Sequence, residues 1–172
     1  HAIKSGDSLV GLPTAQIQAV NWDISKPGLP LLRGLVRDRI IEVVAGRREI
    51  QFASDDVTRA IQEARHKIIE KRLEQPRIYG DAIVAAFFSS QKPKAREKKR
   101  AEVESLLTGG GIGHFEKVAT IASALKQGEH PVTPFHWELE FPEVFTRDNG
   151  GFDAVVGNPP FLGGTRIATE LS

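Results

Sequence analysis

The stretch Asn158-Pro159-Pro160-Phe161 contains the residues best suited to chemistry on a planar base. The side-chain carbonyl of Asn158 and the main-chain carbonyl of Pro159 can each accept one proton from an exocyclic amino group. Two such hydrogen bonds draw the nitrogen lone pair out of conjugation with the ring, which makes the nitrogen more nucleophilic. Phe161 adds a flat apolar face for stacking, a contact worth about 1 to 3 kcal/mol. These residue types therefore predict a pocket for a base with an amino group.

An apolar run at residues 152–157, FDAVVG, precedes this stretch and predicts a buried strand inside a sheet. In α/β sheets functional groups gather just beyond the carboxyl ends of strands, which is where Asn158 stands. Pro159 and Pro160 end the ladder pairing and fix the backbone, so that the carbonyls and the ring keep their geometry. The alternative is a plain turn, since Asn-Pro often starts one.

Two further stretches predict strands. FHWELEFPEVF, residues 135–145, alternates Trp137, Leu139 and Phe141 with charged residues, which is the period of a strand with one buried face. The glutamates on its solvent side would be Glu138, Glu140 and Glu143. Residues 1–5 predict a short strand that ends at a Gly-Asp turn.

The residues between these strands have the three- and four-residue apolar spacing of helices. The predicted helices cover residues 29–46, 54–76, 77–88, 93–107 and 114–128. Gly46 is predicted to end the first as a C-cap, and Ser54 to begin the second as an N-cap. The buried stripe of the second would be Val57, Ile61, Ala64, Ile68 and Leu73.

This order of elements predicts an α/β fold in which a sheet with few strands is interrupted by a largely α-helical insertion. The predicted boundaries are residues 1–13 for the first strand and turn, 14–130 for the insertion, and 131–172 for the later strands. The chain begins at His1 and contains no Met, so we expect it to be a piece of a larger protein.

Composition excludes several classes of protein. The 23 basic and 22 acidic side chains nearly balance, so net charge alone does not indicate a nucleic-acid binder. The chain has no Cys, so it contains neither disulfides nor thiolate metal sites, and a metal could be held only by His, Asp or Glu. Because no apolar stretch approaches the roughly 20 residues of a membrane span, we expect a soluble, cytoplasmic protein.

Asn-Pro-Pro-Phe after an apolar strand resembles the motif IV signature of the amino-group DNA methyltransferases. The resemblance extends to FHWELEFPEVF, the polar turn and GGFDAVVGNPPF, which are similar to the run before that motif in large adenine-specific methylases of type IIG restriction-modification and phage-defence systems. IKSGDSLVG, residues 3–11, resembles the segment that precedes a long helical insertion in those enzymes.

The resemblance implies a partial Rossmann-like methyltransferase sheet and transfer of a methyl group from S-adenosylmethionine to N6 of adenine. The partner would be double-stranded DNA with the target adenine flipped out of the helix. Asn158 and Pro159 would bind the amino group, Phe161 would stack on the base, and Pro160 would shape the loop. Asp7 would lie near the adenosine end of the cofactor, and no metal is expected. The family's glycine-rich cofactor loop has no match here, so the remainder of the polypeptide would supply it.

A basic stretch could contact phosphates, or could be a solvated helix face. Its residues are Lys92, Lys94, Arg96, Lys98, Lys99 and Arg100. The glycine-rich residues 109–113 follow a predicted helix instead of a strand, which favours a linker over a cofactor loop.

Two other functions remain as alternatives. A non-catalytic helical module of such an enzyme could bind DNA or a partner. Gly6-Asp7-Ser8-Leu9 also matches the name-giving motif of a serine esterase family. Those esterases use an Asp-x-x-His to activate the serine, and the chain contains none, so Ser8 has no predicted base.

Overall fold

The computed structural model describes residues 3–54, 57–127 and 130–157. Eight α-helices form within these ranges, and a short 3₁₀ turn at Ala124–Lys126 follows the sixth. The helices are α1 (Thr14–Ala19), α2 (Pro30–Gln51), α3 (Arg59–Lys71), α4 (Glu74–Phe88), α5 (Pro93–Thr108), α6 (His114–Ser123), α7 (Trp137–Glu140) and α8 (Pro142–Phe145). None of the helices in these ranges has the length and apolar character needed to span a membrane.

Helix α4 lies at the centre of the helical block and contacts α1, α3, α5 and α6. Its sequence is rich in apolar and small residues, and Ala82, Ile83 and Ala86 are fully buried. Small side chains on α4 allow its neighbours to approach closely, and larger side chains then fill the space between the helices. Leu139, from α7, is also fully buried in this core, so the segment after the helical block packs against the block.

Helices α2, α5 and α6 confirm the helices predicted at those places, but the predicted C-cap at Gly46 is wrong. Helix α2 continues to Gln51, and Gly46 lies inside it. A Cβ atom at position 46 would lie 2.6 Å from Cδ1 of Ile69 on α3. Gly46 therefore allows α2 and α3 to approach each other and does not end the helix.

The single helix predicted at 54–76 forms instead as α3 and the start of α4, and Thr58 occupies the N-cap position predicted for Ser54. Pro76 explains the break before it. Proline has no N–H to donate to the carbonyl four residues earlier, at Arg72, and its ring clashes with that carbonyl. Pro76 is tolerated in the first turn of the new helix that starts at Glu74.

The orientation predicted for α3 is also wrong. Ile61 and Ile68, from the predicted buried stripe, are 47% and 61% exposed, and no described residue of α3 is buried. The partly buried positions instead include His66 and Glu70. Helix α3 therefore faces the block with Ile69, which lies against Gly46, and with Glu70, which pairs with cations there.

The strand predicted at 135–145 is wrong, because α7 and α8 form there. Leu139 and its neighbour Glu140 are both buried, an arrangement that a strand with one wet face does not allow. Pro142 begins α8. A proline fits at this position because the first N–H groups of a helix have no acceptor within the helix, so the lack of an N–H costs no hydrogen bond.

No strand forms within the described ranges. Within these ranges, Asp7 and Pro134 form an isolated parallel β-bridge. Residues 152–157 have no regular secondary structure, and Val155 and Val156 are 83% and 95% exposed. The predicted α/β sheet therefore stays a prediction.

Candidate functional site

The two ends of the helical block lie side by side. We call residues 3–13 the entry segment and residues 130–136 the return segment. The amide of Asp7 donates to the carbonyl of Thr133 at 2.7 Å, and the amide of Phe135 donates to the carbonyl of Val10 at 2.7 Å. The chain therefore leaves the helical block next to the point where it entered.

Asp7, the predicted cofactor contact, lies in this junction. Its backbone is held by Thr133 and Pro134, and its side-chain Oδ1 accepts a hydrogen bond from the amide of Leu9 at 3.1 Å. This is an Asx turn, which explains the tight bend within the entry segment. The carboxylate is exposed, and its predicted contact with a cofactor stays a prediction.

A buried histidine, which the sequence analysis did not single out, fixes the return segment to α4. His136 is 2% exposed; its Nε2 lies 3.2 Å from Oδ1 of Asp81, and its Nδ1 accepts the amide proton of Leu12 at 3.0 Å. Because Nδ1 accepts, Nε2 carries the proton and donates to Asp81. Lys126 also pairs with Asp81, at 3.2 Å. The pair thus joins the entry segment, α4 and the return segment.

Gly80 makes room for the histidine ring, and its replacement gives a first test. A Cβ atom at position 80 would lie 2.6 Å from Cε1 of His136 and closer still to Nε2. We expect Gly80→Ala to lower the free energy of unfolding by about 1 to 3 kcal/mol, as overpacking does. Gly34→Ala on α2 is the matched control, because nothing lies within 4 Å of the added carbon. Urea unfolding measures both; equal stability of the two variants would show that the ring does not depend on Gly80.

A second, partly buried arrangement, which we call the ionic cluster, joins three cations to three carboxylates where the entry segment meets α2, α3, α4, α7 and α8. Its members are Lys4, Arg47, Arg77, Glu70, Glu140 and Glu143. Of the carboxylates, the sequence analysis considered only Glu140 and Glu143, as the wet face of a strand. Both instead have cationic partners in the cluster.

Glu70 is the centre of the ionic cluster. It accepts hydrogen bonds from Lys4 at 2.7 Å, from Arg47 at 2.6 Å and from Arg77 at 3.0 Å. Burial alone raises the pKa of Glu70, but the three hydrogen-bonded cations outweigh burial and lower that pKa to about 2. Arg77 also holds both oxygens of Glu140, at 2.6 and 2.8 Å. The cluster therefore ties α2, α3 and α4 to α7.

An aromatic cluster holds the chain that leads to Asn158. Phe152 packs edge-to-face against Trp137, Phe141 and Phe145, with ring centroids 5.5 to 5.6 Å apart. Gly151 has a φ of +127°, which favours glycine, and lets the chain turn Phe152 back onto these rings. The chain is therefore anchored six residues before Asn158.

Asn158, Pro159, Pro160 and Phe161 themselves lie outside the described residues. Their predicted roles in binding an amino group and stacking on a base stay predictions.

Two of the six basic residues predicted to contact DNA have internal partners that hold their guanidinium groups. Arg100 is 8% exposed and donates to Glu97 and Glu104, each at 2.6 Å, and to the carbonyl of Val20 at 3.0 Å. The hydrogen bond with Glu97 is the main cause that raises the pKa of Arg100. Arg96 lies 4.3 Å above the ring of Phe87. These two side chains fasten α5 to the block.

The other four basic residues lie nearer the solvent. Lys99 pairs with Glu102 at 2.9 Å. Lys92, Lys94 and Lys98 are exposed and have no ion pair within the part of the chain that the structure describes. The predicted phosphate contact of α5 therefore depends on these three lysines and stays a prediction.

The glycine-rich residues 109–113 join α5 to α6, as a linker does. Gly110 and Gly113 have φ angles of +61° and +77°, a left-handed conformation that explains why glycine occupies both positions. No strand precedes the loop, so it lacks the strand-loop-helix geometry that holds the phosphates or adenosine of a cofactor. Nor do the described residues bring together three or more His, Asp or Glu side chains able to hold a metal ion.

The esterase alternative fails on the geometry of its base. His136 has the aspartate partner that such a base requires, but both of its ring nitrogens are engaged, with Asp81 and Leu12. It is buried, whereas Ser8 is exposed. His136 therefore cannot take a proton from Ser8.

Comparison with known proteins identifies the family. The model of the Eco57I restriction-modification methylase family matches residues 52–171, more than two thirds of the chain. The matched region runs from the end of α2 through α8 and includes Asn158, Pro159, Pro160 and Phe161. Searches of curated proteins and of solved structures found no match. The chain belongs to the Eco57I restriction-modification methylase family.

Proposed function

We propose that this chain is part of an adenine-specific DNA methyltransferase, which transfers a methyl group from S-adenosylmethionine to N6 of adenine in restriction-modification or phage defence. The observation that carries the proposal is the position of Asn158-Pro159-Pro160-Phe161 inside the region matched by a methylase family. Membership of that family accounts for methylation. The specificity for adenine is inferred from the chemistry of these four residues.

Within this proposal, Asn158 and the carbonyl of Pro159 accept the two protons of the adenine amino group. Phe161 stacks on the base, which has left the duplex and therefore lacks its neighbours' stacking. Pro160 restricts the backbone between them, so that acceptors and ring keep their positions during the reaction. The rings around Phe152 support this loop by anchoring the chain before it.

The described residues do not fit a cofactor by themselves. The glycine loop at 109–113 connects two helices, and Asp7 offers a single exposed carboxylate. We therefore assign the binding of S-adenosylmethionine to the remainder of the polypeptide, with Asp7 as a candidate contact at its edge. When bound, the cofactor supplies the methyl group.

The same proposal includes a Rossmann-like sheet interrupted by the helical block. Two observations support it. A parallel bridge such as Asp7 to Pro134 needs a crossover connection, and here the helical block provides it. Apolar side chains near both ends of the described chain are also exposed, among them Ile3 at 98% and Val156 at 95%. Further strands of a sheet would cover them.

Analysis of the methylated base tests the proposal. A protein that carries the whole methyltransferase region is incubated with tritiated S-adenosylmethionine and DNA, and the DNA is then digested to nucleosides. We expect the label in N6-methyladenine. Label in N4-methylcytosine would contradict the adenine specificity but not the amino-group chemistry, and label in C5-methylcytosine would contradict both.

A second candidate is a non-catalytic helical module that binds DNA or a partner subunit. The exposed lysines of α5 favour this second candidate, because they form no ion pair within the part of the chain that the structure describes. They are Lys92, Lys94 and Lys98. The absence of any methyl transfer by the protein with the whole region, together with retained DNA binding, would favour this second candidate over the first.

A further inference from the structure

A groove of about 840 Å³ lies between α3 and α4 on one side and α6 with the return segment on the other. We call it the lysine groove. Its cations are Lys4, Lys67, Lys71, Arg77 and Lys126. Its floor is partly apolar and includes Ala119, Ala122 and Phe135.

The acidic residues that line the lysine groove are Glu70, Glu74, Asp81 and Glu140. Three of the four are already neutralised from within the protein. Glu70 and Glu140 pair with Lys4 and Arg77, and Asp81 pairs with Lys126. Glu74 remains as the one groove carboxylate without an ion pair among the described residues. Its single charge is opposed by two lysines.

Those two lysines are Lys67 and Lys71, which are exposed and have no ion pair within the described ranges. They are four residues apart on α3 and therefore lie on the same face, about 6 Å apart along the helix axis. Two cations without a counter-ion, fixed on one wall of a groove, favour an anion with charges in series.

We propose that the lysine groove binds the sugar-phosphate backbone of DNA. The cationic wall suits phosphates, and the apolar floor suits deoxyribose. The inference rests on the proposed function, because a DNA-modifying enzyme brings such a backbone to this surface. Lys4 and Phe135 belong to the entry and return segments, so a strand held in the groove runs beside the junction of these two segments.

The shared chemistry of sugar and phosphate also occurs in a free nucleotide, and an acidic protein surface would satisfy the lysines as well. An acidic protein segment lacks the sugar that the apolar floor fits. A free nucleotide has its charges at one end, whereas Lys67 and Lys71 lie about one helical turn apart on α3 and offer two positive charges in series. The backbone of a DNA strand fits both features.

The test is a binding titration of this chain with a short fluorescein-labelled duplex, followed by fluorescence anisotropy at several salt concentrations. The variant is Lys67→Gln with Lys71→Gln, and the control is Lys26→Gln with Lys117→Gln. The control removes the same charge from two exposed lysines that do not line the groove. Thermal unfolding of both variants checks that the fold is kept.

We expect the groove variant to lose about tenfold or more in affinity at low salt, with the control within about twofold of wild type. The slope of log affinity against log salt should become less steep by about 2, since each lost phosphate contact contributes about 0.9. Equal losses in both variants, no loss in the groove variant, or no binding by the wild-type chain would each overturn the proposal.

Competition experiments distinguish a DNA backbone from a free nucleotide and from an acidic protein segment as the ligand of the groove. Unlabelled duplex is expected to displace the probe at far lower concentration than ATP or polyglutamate at equal charge. Displacement by ATP or polyglutamate as efficient as by DNA would overturn the assignment to a DNA backbone. Because no methyl transfer is measured, binding in the groove can fail while N6-methyladenine still forms, and the two proposals are tested separately.

Discussion

Replacing Asn158 with Ala is expected to lower the rate of methyl transfer by about two to three orders of magnitude, a loss typical of removing one aimed polar group from an active site. The substitution removes the proposed acceptor of one amino proton of the target base. The carbonyl of Pro159 and the ring of Phe161 would still bind the base, so DNA affinity should change little. The measurement is single-turnover transfer of a tritiated methyl group in a protein that carries the whole methyltransferase region.

Asn149→Ala serves as the control for this prediction. Asn149 is an exposed residue of the turn before Gly151, and it precedes the motif in the same part of the chain. The Asn149 variant should transfer methyl groups at the wild-type rate. If the Asn158 variant does so as well, Asn158 does not bind the reacting amino group.

Replacing Glu70 with Gln is expected to lower the free energy of unfolding at pH 7 by about 1 to 3 kcal/mol, less than the loss of one partner from a fully buried ion pair, because solvent partly screens the cluster. Gln keeps the size of the side chain but leaves Lys4, Arg47 and Arg77 with less negative charge around them. Glu63→Gln on the same helix is the control, because Glu63 forms an exposed pair with Arg59 that contributes well under 1 kcal/mol. Urea unfolding measures both variants.

The effect of Glu70 should depend on pH with a definite sign. Its pKa is lowered from 4.5 to about 2 in the folded protein, so its contribution is complete above pH 4.5 and is lost as pH falls through 2. A fully buried group with this shift would contribute about 3 kcal/mol, and solvent screening of the partly buried Glu70 reduces its contribution to about 1 to 3 kcal/mol. About half of the difference between wild type and the Gln variant should be gone by pH 3. A difference that stays constant from pH 7 to pH 3 would show that the cluster does not hold Glu70 ionised.

The helices could be predicted from sequence where one local signal decides the structure. The apolar spacing of α2, α5 and α6 was sufficient to place them. The break before α4 does not show in the apolar spacing, which continues across it. It follows instead from Pro76, which cannot donate a hydrogen bond to the carbonyl of Arg72. For α3, periodicity identified a helix but not the side that faces the block, since its orientation depends on Glu70 and its distant partners.

The candidate site divides in the same way. Roles for Asn158 and Phe161 could be predicted because adjacent residues in the sequence carry the required chemistry, and these roles stay predictions. His136 and Asp81 are 55 residues apart, and Lys4 and Glu70 are 66 apart, so no local pattern joins them. The strand predicted at 135–145 failed for this reason too. An alternating pattern shows which residues differ in polarity, but it does not show that Glu140 pairs with the distant Arg77.

The hydrogen bonds that join the entry segment to the return segment show that the helical block holds two distant parts of the chain together. Asp7 and Thr133 are more than a hundred residues apart in the chain, and holding such ends together by an unfolded loop carries a large entropic cost. When the helical block is folded, its two ends are already close together, so the pairing of the entry and return segments no longer carries that entropic cost. The effective concentration of each segment near the other is therefore raised. A substitution that loosens the buried core around Ile83 should therefore weaken the junction, although it touches neither flank.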